Sequence, residues 1–152
     1  MDKKHIGYIK NGINLDHIFH GRAFYLMQIL KLFNIDNQVG VGLNLPSNKM
    51  GSKDLIKIED FTPSIEQINA LSLFAPGATL AIIKDFQIQE KSILSLPSEI
   101  ESLIICPNPR CVSKLTKSKF KVQTSLQGKV MLNCHYCEKE FELDQTQEFK
   151  FN

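Results

Sequence analysis

The length, composition and charge of the chain exclude several broad classes of protein. Its 152 residues include 18 Lys and Arg against 16 Asp and Glu, so the formal net charge is only +2. A charge this small gives no broad basic field for recruiting nucleic acid. The longest apolar runs, at 78–83 and 103–106, fall far short of the ~20 residues that a membrane-spanning helix needs. With no export signal at the N-terminus, we expect a cytoplasmic protein that crosses no membrane.

Apolar periodicity in the first 92 residues predicts strands and helices in a definite order. In chain order, the patterns predict a short strand at 5–10, a strand at 13–18, a helix from 21 to 34, strands at 39–45 and 53–59, a helix from 64 to 75, and strands at 79–84 and 86–91. Ser64 and Gln67 are placed to form a capping box at the start of the second helix. The core order, strand, helix, strand, strand, helix, strand, is typical of a ferredoxin-like α+β fold, in which two helices cover one face of an antiparallel sheet.

The cysteines lie in the last third of the chain and form two close pairs. Cys106 and Cys111 are separated by four residues, and Cys134 and Cys137 by two, with 22 residues between the pairs. Two facing thiolate pairs are the ligand set of a structural Zn²⁺ site, and all four cysteines of the chain are used. We predict one structural zinc ion per chain. Two disulfides are the alternative, but they require an oxidising compartment.

These patterns predict two domains with different means of stabilisation. Residues 1–92 form the ferredoxin-like domain, residues 93–98 an exposed linker, and residues 99–152 a small β domain of the zinc-ribbon kind. A module of ~50 residues buries too little apolar surface to be stable on its own, and a bound structural metal usually supplies the missing stability.

Charged residues of the first domain are candidates for an anion-binding site. Lys53 and Lys57 share one face of a predicted strand, Lys91 ends another, and Asp16 with His17 ends an early one. Solvated surface lysines are the plainer interpretation, since spacing alone does not bring these residues together. The sequence has no Gly-rich phosphate loop of either common kind, so a nucleotide would bind here through side chains. A zinc ion held by four thiolates also lacks the open position that hydrolysis needs.

Several segments together resemble the regulatory chain of aspartate carbamoyltransferase. They are Leu-Asp-His-Ile at 15–18, Val-Gly-Leu-Asn-Leu-Pro-Ser at 41–47, Met-Gly at 50–51, Lys-Asp-Leu-Ile-Lys-Ile-Glu at 53–59, the segment 73–78 with Ala75-Pro76, Cys-Pro-Asn at 106–108, and Cys-His-Tyr-Cys-Glu-Lys-Glu-Phe at 134–141. They cover nearly the whole chain in the family's order and spacing. The resemblance implies a non-catalytic allosteric subunit in de novo pyrimidine biosynthesis.

The resemblance also implies an effector site in the first domain. Members of the family bind CTP and ATP competitively there, often with UTP beside CTP. By resemblance, Ile6 and Ile9 lie beside the base, Asp16 and Lys57 near the ribose or base, and His17 and Lys91 at the triphosphate. Lys53 falls at the edge of the site, and its other wall is formed by Ala81, Ile83, Phe86 and Ile88.

Two protein contacts follow from the same resemblance. The zinc domain of the family docks on the separate catalytic chain, and here the polar residues of the two cysteine loops are predicted to make that contact, namely Asn108, Arg110, Glu138 and Lys139. The family's regulatory chains pair through their first domains, so we expect a homodimer.

Two other functions compete with this interpretation. A zinc-ribbon protein that binds nucleic acid is suggested by local basic residues: Arg110, Lys114, Lys117, Lys119, Lys121 and Lys129. Against it, acidic residues follow between 138 and 148, and no aromatic residues are interleaved with the lysines. A small zinc enzyme would need an exchangeable ligand on the metal.

Overall fold

The computed structural model describes residues 8–145 and divides the chain into two compact units at the junction of Ser95 and Leu96. Of the strand predicted at 5–10, residues 5–7 lie outside the described residues, and residues 8–10 form no strand, since the first strand begins at Gly12. The linker predicted at 93–98 spans the end of one strand at Ile93 and stops just before another that begins at Glu99.

The first unit is a five-stranded antiparallel sheet with two helices. Its elements are β1 (Gly12–Phe19), α1 (Ala23–Ile29), a 3₁₀ turn (Leu32–Asn34), β2 (Val39–Ser47), β3 (Gly51–Glu59), α2 (Ile65–Phe74), β4 (Thr79–Lys84) and β5 (Gln87–Ile93). The strands lie in the order β2-β3-β1-β4-β5, and every neighbouring pair is antiparallel. This is the predicted ferredoxin-like order with one strand added at the edge, so the predicted fold class is confirmed.

Alternation along the strands separates a buried face of the sheet from an open one. Ile13, Leu15, Ile56 and Ile58 are completely buried on one face, and the helices supply the rest of this core. The residues between them, including Asn14 and Lys57, are only partly buried. The open face therefore includes partly buried polar side chains.

The helices differ from the predicted pattern in length and in which residues they bury. Ser64 and Gln67 make both hydrogen bonds of the expected capping box at the start of α2. However, Ile65 is 75% exposed, although the apolar period of Ile65, Ile68, Leu71 and Ala75 predicts a single buried stripe. The first helix ends well before 34 because Lys31 adopts a left-handed conformation with φ 56°, which leaves Phe33 65% exposed.

Two β-bulges displace the regular pattern of the sheet near the start of α1. In β1, Leu15 pairs with Ile56 and Ile18 with Asp54, so Asp16 and His17 together oppose one residue. In β2 the pairing shifts between Gly42 and Leu45. A bulge re-aims side chains while the rest of the strand keeps its core residues.

One buried carboxylate, that of Asp54, holds these bulges together. Its side chain is 1% exposed and accepts hydrogen bonds from the backbone N–H groups of Asn44 (2.8 Å), Gly21 (3.0 Å) and Ala23 (3.4 Å). Burial raises the pKa of Asp54, but these N–H groups, together with His20, outweigh it and leave the pKa below the ordinary 3.8.

Asp54→Asn is expected to destabilise the chain by about 3 kcal/mol, because backbone donors lose a charged acceptor in a buried position. Since the pKa of Asp54 is lowered in the folded state, its contribution is fully present above pH 3.8 and is lost as the pH falls through the folded value. Urea unfolding at pH 7 and at lower pH measures this difference. The control is Asp36→Asn, at an exposed carboxylate; equal unfolding free energies for the two variants at pH 7 would contradict the role of Asp54.

The second unit is a small antiparallel sheet with short 3₁₀ turns. Its strands are β6 (Glu99–Glu101), β7 (Lys119–Thr124), β8 (Val130–Cys134) and β9 (Glu140–Glu142), and they pair in that order. Its core is small and consists of Ile100, Ile104, Phe120, Val122, Leu132 and Leu143 beside buried cysteines. None of the helices in the described part of the chain is long and apolar enough to cross a membrane.

Candidate functional site

The four cysteine thiols converge at one point in the second unit. Cys134 ends β8, Cys137 lies in the following turn, and Cys106 and Cys111 flank the loop before the 3₁₀ turn at Val112–Leu115. The Cys106 and Cys137 Sγ atoms are 3.7 Å apart, and those of Cys111 and Cys134 are 3.6 Å apart. All four lie within 4.8 Å of one another, and three of the four residues are buried.

This spacing fits a tetrahedral zinc ion and excludes disulfides. Zn–S bonds of about 2.3 Å in a tetrahedron place sulfur atoms about 3.8 Å apart. A disulfide would require about 2.0 Å, whereas all four thiols are free. Bound Zn²⁺ would be closed off by four thiolates, so it would hold the chain together without offering a position to substrate. His135, between the second pair of cysteines, is exposed and lies outside the cluster.

Polar groups around two of the four cysteines favour the thiolate form that binds metal, whereas burial raises the pKa of Cys106 and of Cys134. Burial alone raises the pKa of Cys111, but the hydroxyl and backbone N–H of Ser113 outweigh it and lower the pKa to about 7. For Cys137, burial is likewise outweighed by the backbone N–H of Lys139 and the side chain of Asn108, so its pKa is lowered. Hydrogen bonds of this kind orient ligands and tune a metal site.

The predicted partner-contact residues occupy the rims of the two cysteine loops. Arg110, Glu138 and Lys139 are exposed, whereas Asn108 is partly buried. The Asn108 side-chain oxygen accepts a hydrogen bond from the Arg110 backbone N–H at 3.1 Å. Asn108 therefore supports the loop and Cys137, while the other three present charge to solvent.

A second cluster lies on the open face of the first sheet. Strand pairing places five residues, one on each strand, in a single row across the sheet: Gly40, Lys57, Asn14, Ala81 and Lys91. Two lysines thus lie on one face, with Asn14 and Ala81 between them. Sequence spacing could not show this alignment, which depends on the order of the strands.

The bulge in β1 brings Asp16 and His17 to the same face. The Asp16 Oδ1 atom lies 2.8 Å from the Lys53 Nζ atom and accepts the His17 backbone N–H at 2.6 Å. His17 Nδ1 lies 3.3 Å from the Thr79 Oγ1 atom. Burial raises the pKa of Asp16, but Lys53 and the His17 N–H outweigh burial and leave the pKa below the ordinary 3.8, so the carboxylate is ionised at neutral pH.

The apolar residues predicted for the site surround this polar centre. Ile83 pairs with Gly12 in β1 and with Ile88 in β5. Phe86 and Ile88 are 64% and 59% exposed, whereas Ile9 is nearly buried. Ile9 also lines a shallow depression beside Lys57 whose other residues are Tyr8, Gln38, Val39, Gly40 and Glu59. Ile6 lies outside the described residues.

Sequence reasoning missed two features of this face. Thr79 pairs with Asp16 in the strand register, and its Oγ1 atom lies within hydrogen-bonding distance of His17 Nδ1. Asn14, between Lys57 and Ala81, is not among the residues that the sequence predicts for the site. The bulge had a signal in the sequence, since apolar residues at 13, 15 and 18 break the alternation by one residue.

Comparison with known proteins gives consistent matches for both units. Residues 4–95 match the family model described as "Aspartate carbamoyltransferase regulatory chain, allosteric domain". Residues 98–147 match the one described as "Aspartate carbamoyltransferase regulatory chain, metal binding domain". The second match agrees with the cysteine cluster and confirms the predicted zinc site.

Individual relatives carry the same description over most of the chain. The aspartate carbamoyltransferase regulatory chain of Edwardsiella ictaluri is 45% identical over 142 residues, which are 92% of each chain. That of Tolumonas auensis is 46% identical over 135 residues, 88% of this chain and 87% of its own. That of Photorhabdus laumondii is 39% identical over 142 residues, 92% of each chain.

Proposed function

The chain belongs to the family of aspartate carbamoyltransferase regulatory chains, which are non-catalytic subunits, and from this premise we propose that it binds CTP and ATP and thereby regulates a separate catalytic chain. Its role would lie in de novo pyrimidine biosynthesis in the cytoplasm. The observation that carries the proposal is the row of polar residues on the open sheet face beside Asp16 and His17.

The effector site proposed here uses complementary chemistry along this face. Lys91 and His17 would bind the triphosphate, because cationic and imidazole donors suit phosphate oxygens. The Asp16 carboxylate would accept from ribose hydroxyls, with Lys57 near the ribose or base and Lys53 at the edge. The base would lie between two apolar groups. Ile6 and Ile9 would form one side, and the other side would be formed by Ala81, Ile83, Phe86 and Ile88.

CTP and ATP would compete for one main site in each first unit, and UTP would bind beside CTP. Calorimetric titration of the zinc-loaded chain tests this directly: CTP titrated into a chain saturated with ATP should show a weakened apparent affinity that matches simple competition. Absence of heat with either nucleotide at millimolar concentration would refute the proposed site, and binding of CTP unaffected by ATP would refute a shared one.

The partner proposed for the second unit is the catalytic chain. The rims of the two cysteine loops present Arg110, Glu138 and Lys139 to solvent, and the zinc would hold these loops rigid. A rigid polar surface suits an interface that must transmit a change between subunits.

The partner proposed for the first unit is a second copy of the chain. The outer strand β5 is exposed along its whole length, from Gln87 to Ile93. An exposed edge strand is a ready template for pairing, and pairing across a two-fold axis closes both edges. This surface would form a homodimer without the catalytic chain.

Lys139→Glu is expected to weaken assembly with the catalytic chain at least tenfold, because an attractive charge contact becomes repulsive. Zinc content and pairing of the first units should not change. Sedimentation velocity of the chain alone measures dimerisation, and the same measurement with the catalytic chain added measures assembly. The control is Lys121→Glu, an exposed lysine on β7. Unchanged assembly of Lys139→Glu would place the interface elsewhere, and a monomeric wild-type chain at micromolar concentration would refute the dimer.

A further inference from the structure

Asn14, at the centre of the open sheet face, carries a buried amide oxygen without a partner. Its Oδ1 atom is shielded from solvent, yet no described residue donates a hydrogen bond to it. Asparagine is also depleted in strands, where β-branched and aromatic residues fit better. Neither strand propensity nor a hydrogen bond from the described residues therefore accounts for an asparagine at this position.

The neighbours of Asn14 define which chemical group it can receive. It pairs with Lys57 on β3 and Ala81 on β4, and Asp16 follows it on the same face of β1. The described contacts of Asp16 with Lys53 and His17 all fall on its Oδ1 atom. The Oδ2 atom of Asp16 and the Oδ1 atom of Asn14 are thus two acceptors, with Cα atoms about 6–7 Å apart along one strand.

Two adjacent acceptors between lysines match a ligand with donors in its middle and an anion at one end. In a nucleoside triphosphate, the neighbouring 2′ and 3′ hydroxyls of the ribose are such donors, and they lie between the base and the phosphates. Lys57, beside Asn14 in the row, and Lys91, beyond Ala81, can only donate hydrogen bonds, so they suit oxygens of the base or phosphates on either side of the ribose.

We propose that Asn14 acts with Asp16 to hold the two ribose hydroxyls, and so makes the site selective for ribonucleotides. This inference rests on the proposed nucleotide site and adds a residue to it. Asp16 accepts from one hydroxyl and Asn14 from the other. The orphaned oxygen of Asn14 gains its partner only when the ribonucleotide binds, which accounts for a polar group that the fold alone does not need.

The test uses the full zinc-loaded chain and the variant Asn14→Val, which suits a strand and removes the amide. Calorimetry measures the affinity of wild type and variant for CTP, 2′-deoxy-CTP and 3′-deoxy-CTP. The variant should lose about five- to tenfold in affinity for CTP. It should lose none for the analogue that lacks the hydroxyl held by Asn14. Ser92→Val is the matched control, since Ser92 pairs with Leu80 and lies on the opposite face of the sheet.

Thermal unfolding guards against a merely structural role. Asn14→Val should unfold at the same temperature as wild type or higher, while affinity falls. Equal losses for CTP and both deoxy analogues, or no loss at all, would overturn the ribose assignment. If wild type binds none of these ligands, the proposed function itself fails, and this inference with it.

Discussion

Stripping the metal from the four cysteines is expected to unfold the second unit and leave the first one folded. The second unit has a small core, and the four buried or half-buried thiols lie at its centre. For modules of this size, the free energy of metal binding supplies much of the free energy of folding. Association with the catalytic chain should be lost as well, because its proposed docking surface consists of the cysteine loops.

A mercurial titration followed by NMR measures both effects on the whole chain. All four cysteines belong to the site, so the reagent has no other thiol to modify. Amide signals of β7 and β8 should collapse, those of β1 and β3 should persist, and thiol reductant with Zn²⁺ should restore the first set. A zinc-free chain that keeps the β8 signals, or that still assembles with the catalytic chain, would contradict a structural role for the metal.

Loss of the Lys91 side chain is expected to weaken triphosphate binding about ten- to a hundredfold. A charge-assisted contact contributes about 1.5–3 kcal/mol, which corresponds to that range of affinity. Lys91 is exposed on β5, and within residues 8–145 no carboxylate is recorded as an ion-pair partner for it. By contrast, Lys53 is already paired with Asp16. Lys91→Ala should therefore cost more than Lys53→Ala.

The loss at Lys91 should also depend on the phosphates of the ligand. Calorimetry with CTP and with cytidine separates the contribution of the phosphates from that of the nucleoside. Cytidine has no phosphate, so its affinity should be the same for wild type and Lys91→Ala. The control is Lys121→Ala, which removes the same charge from an exposed lysine of the second unit. Equal affinity of wild type and Lys91→Ala for CTP would remove Lys91 from the site.

The zinc site was predictable from sequence because its signal is local and complete. Two short cysteine pairs specify a metal, a coordination number and a compact module without knowledge of the rest of the fold. The order of the sheet was also predictable, since the periods of the strands and helices leave few arrangements for a split βαβ pattern. The capping box of Ser64 and Gln67 belongs to the same class of local signal.

The open face of the sheet was less predictable because it depends on register. Lys57 and Lys91 are 34 positions apart in the sequence, yet both lie in one row with Asn14. A shift of one residue in any strand would move its lysine to the other face. The family resemblance selected Asp16, His17 and the lysines, but not Asn14, whose unpartnered oxygen is visible only in three dimensions.

Helix ends were mispredicted where tertiary contacts override local pattern. The apolar period ran on to Phe33, but the chain turns at Lys31, and Phe33 is exposed. In α2 the buried residues are the consecutive run from Ala70 to Phe74, so the helix is enclosed on several sides near its C-terminus and exposed near its start. A single stripe could not predict this change along the helix.

The nucleic-acid alternative loses support from the ion pairs of the second unit. Lys119 lies 3.8 Å from both Glu99 and Glu101, and Lys129 lies 3.1 Å from Glu142. Lys114 donates to the Cys106 carbonyl oxygen at 3.1 Å. Lysines that neutralise neighbouring carboxylates or support a metal loop contribute little to a phosphate-binding surface.

The most direct test of regulation is carbamoyl transfer by the complex of this chain with its catalytic chain. The aspartate saturation curve is measured alone, with CTP and with ATP, using wild type and Lys91→Ala. A nucleotide regulates only if it binds two states of the complex with different affinity. We expect each nucleotide to shift the half-saturation for wild type, and we expect a smaller shift in the variant at equal nucleotide concentration. Saturating CTP and ATP that leave the wild-type curve unchanged would contradict it.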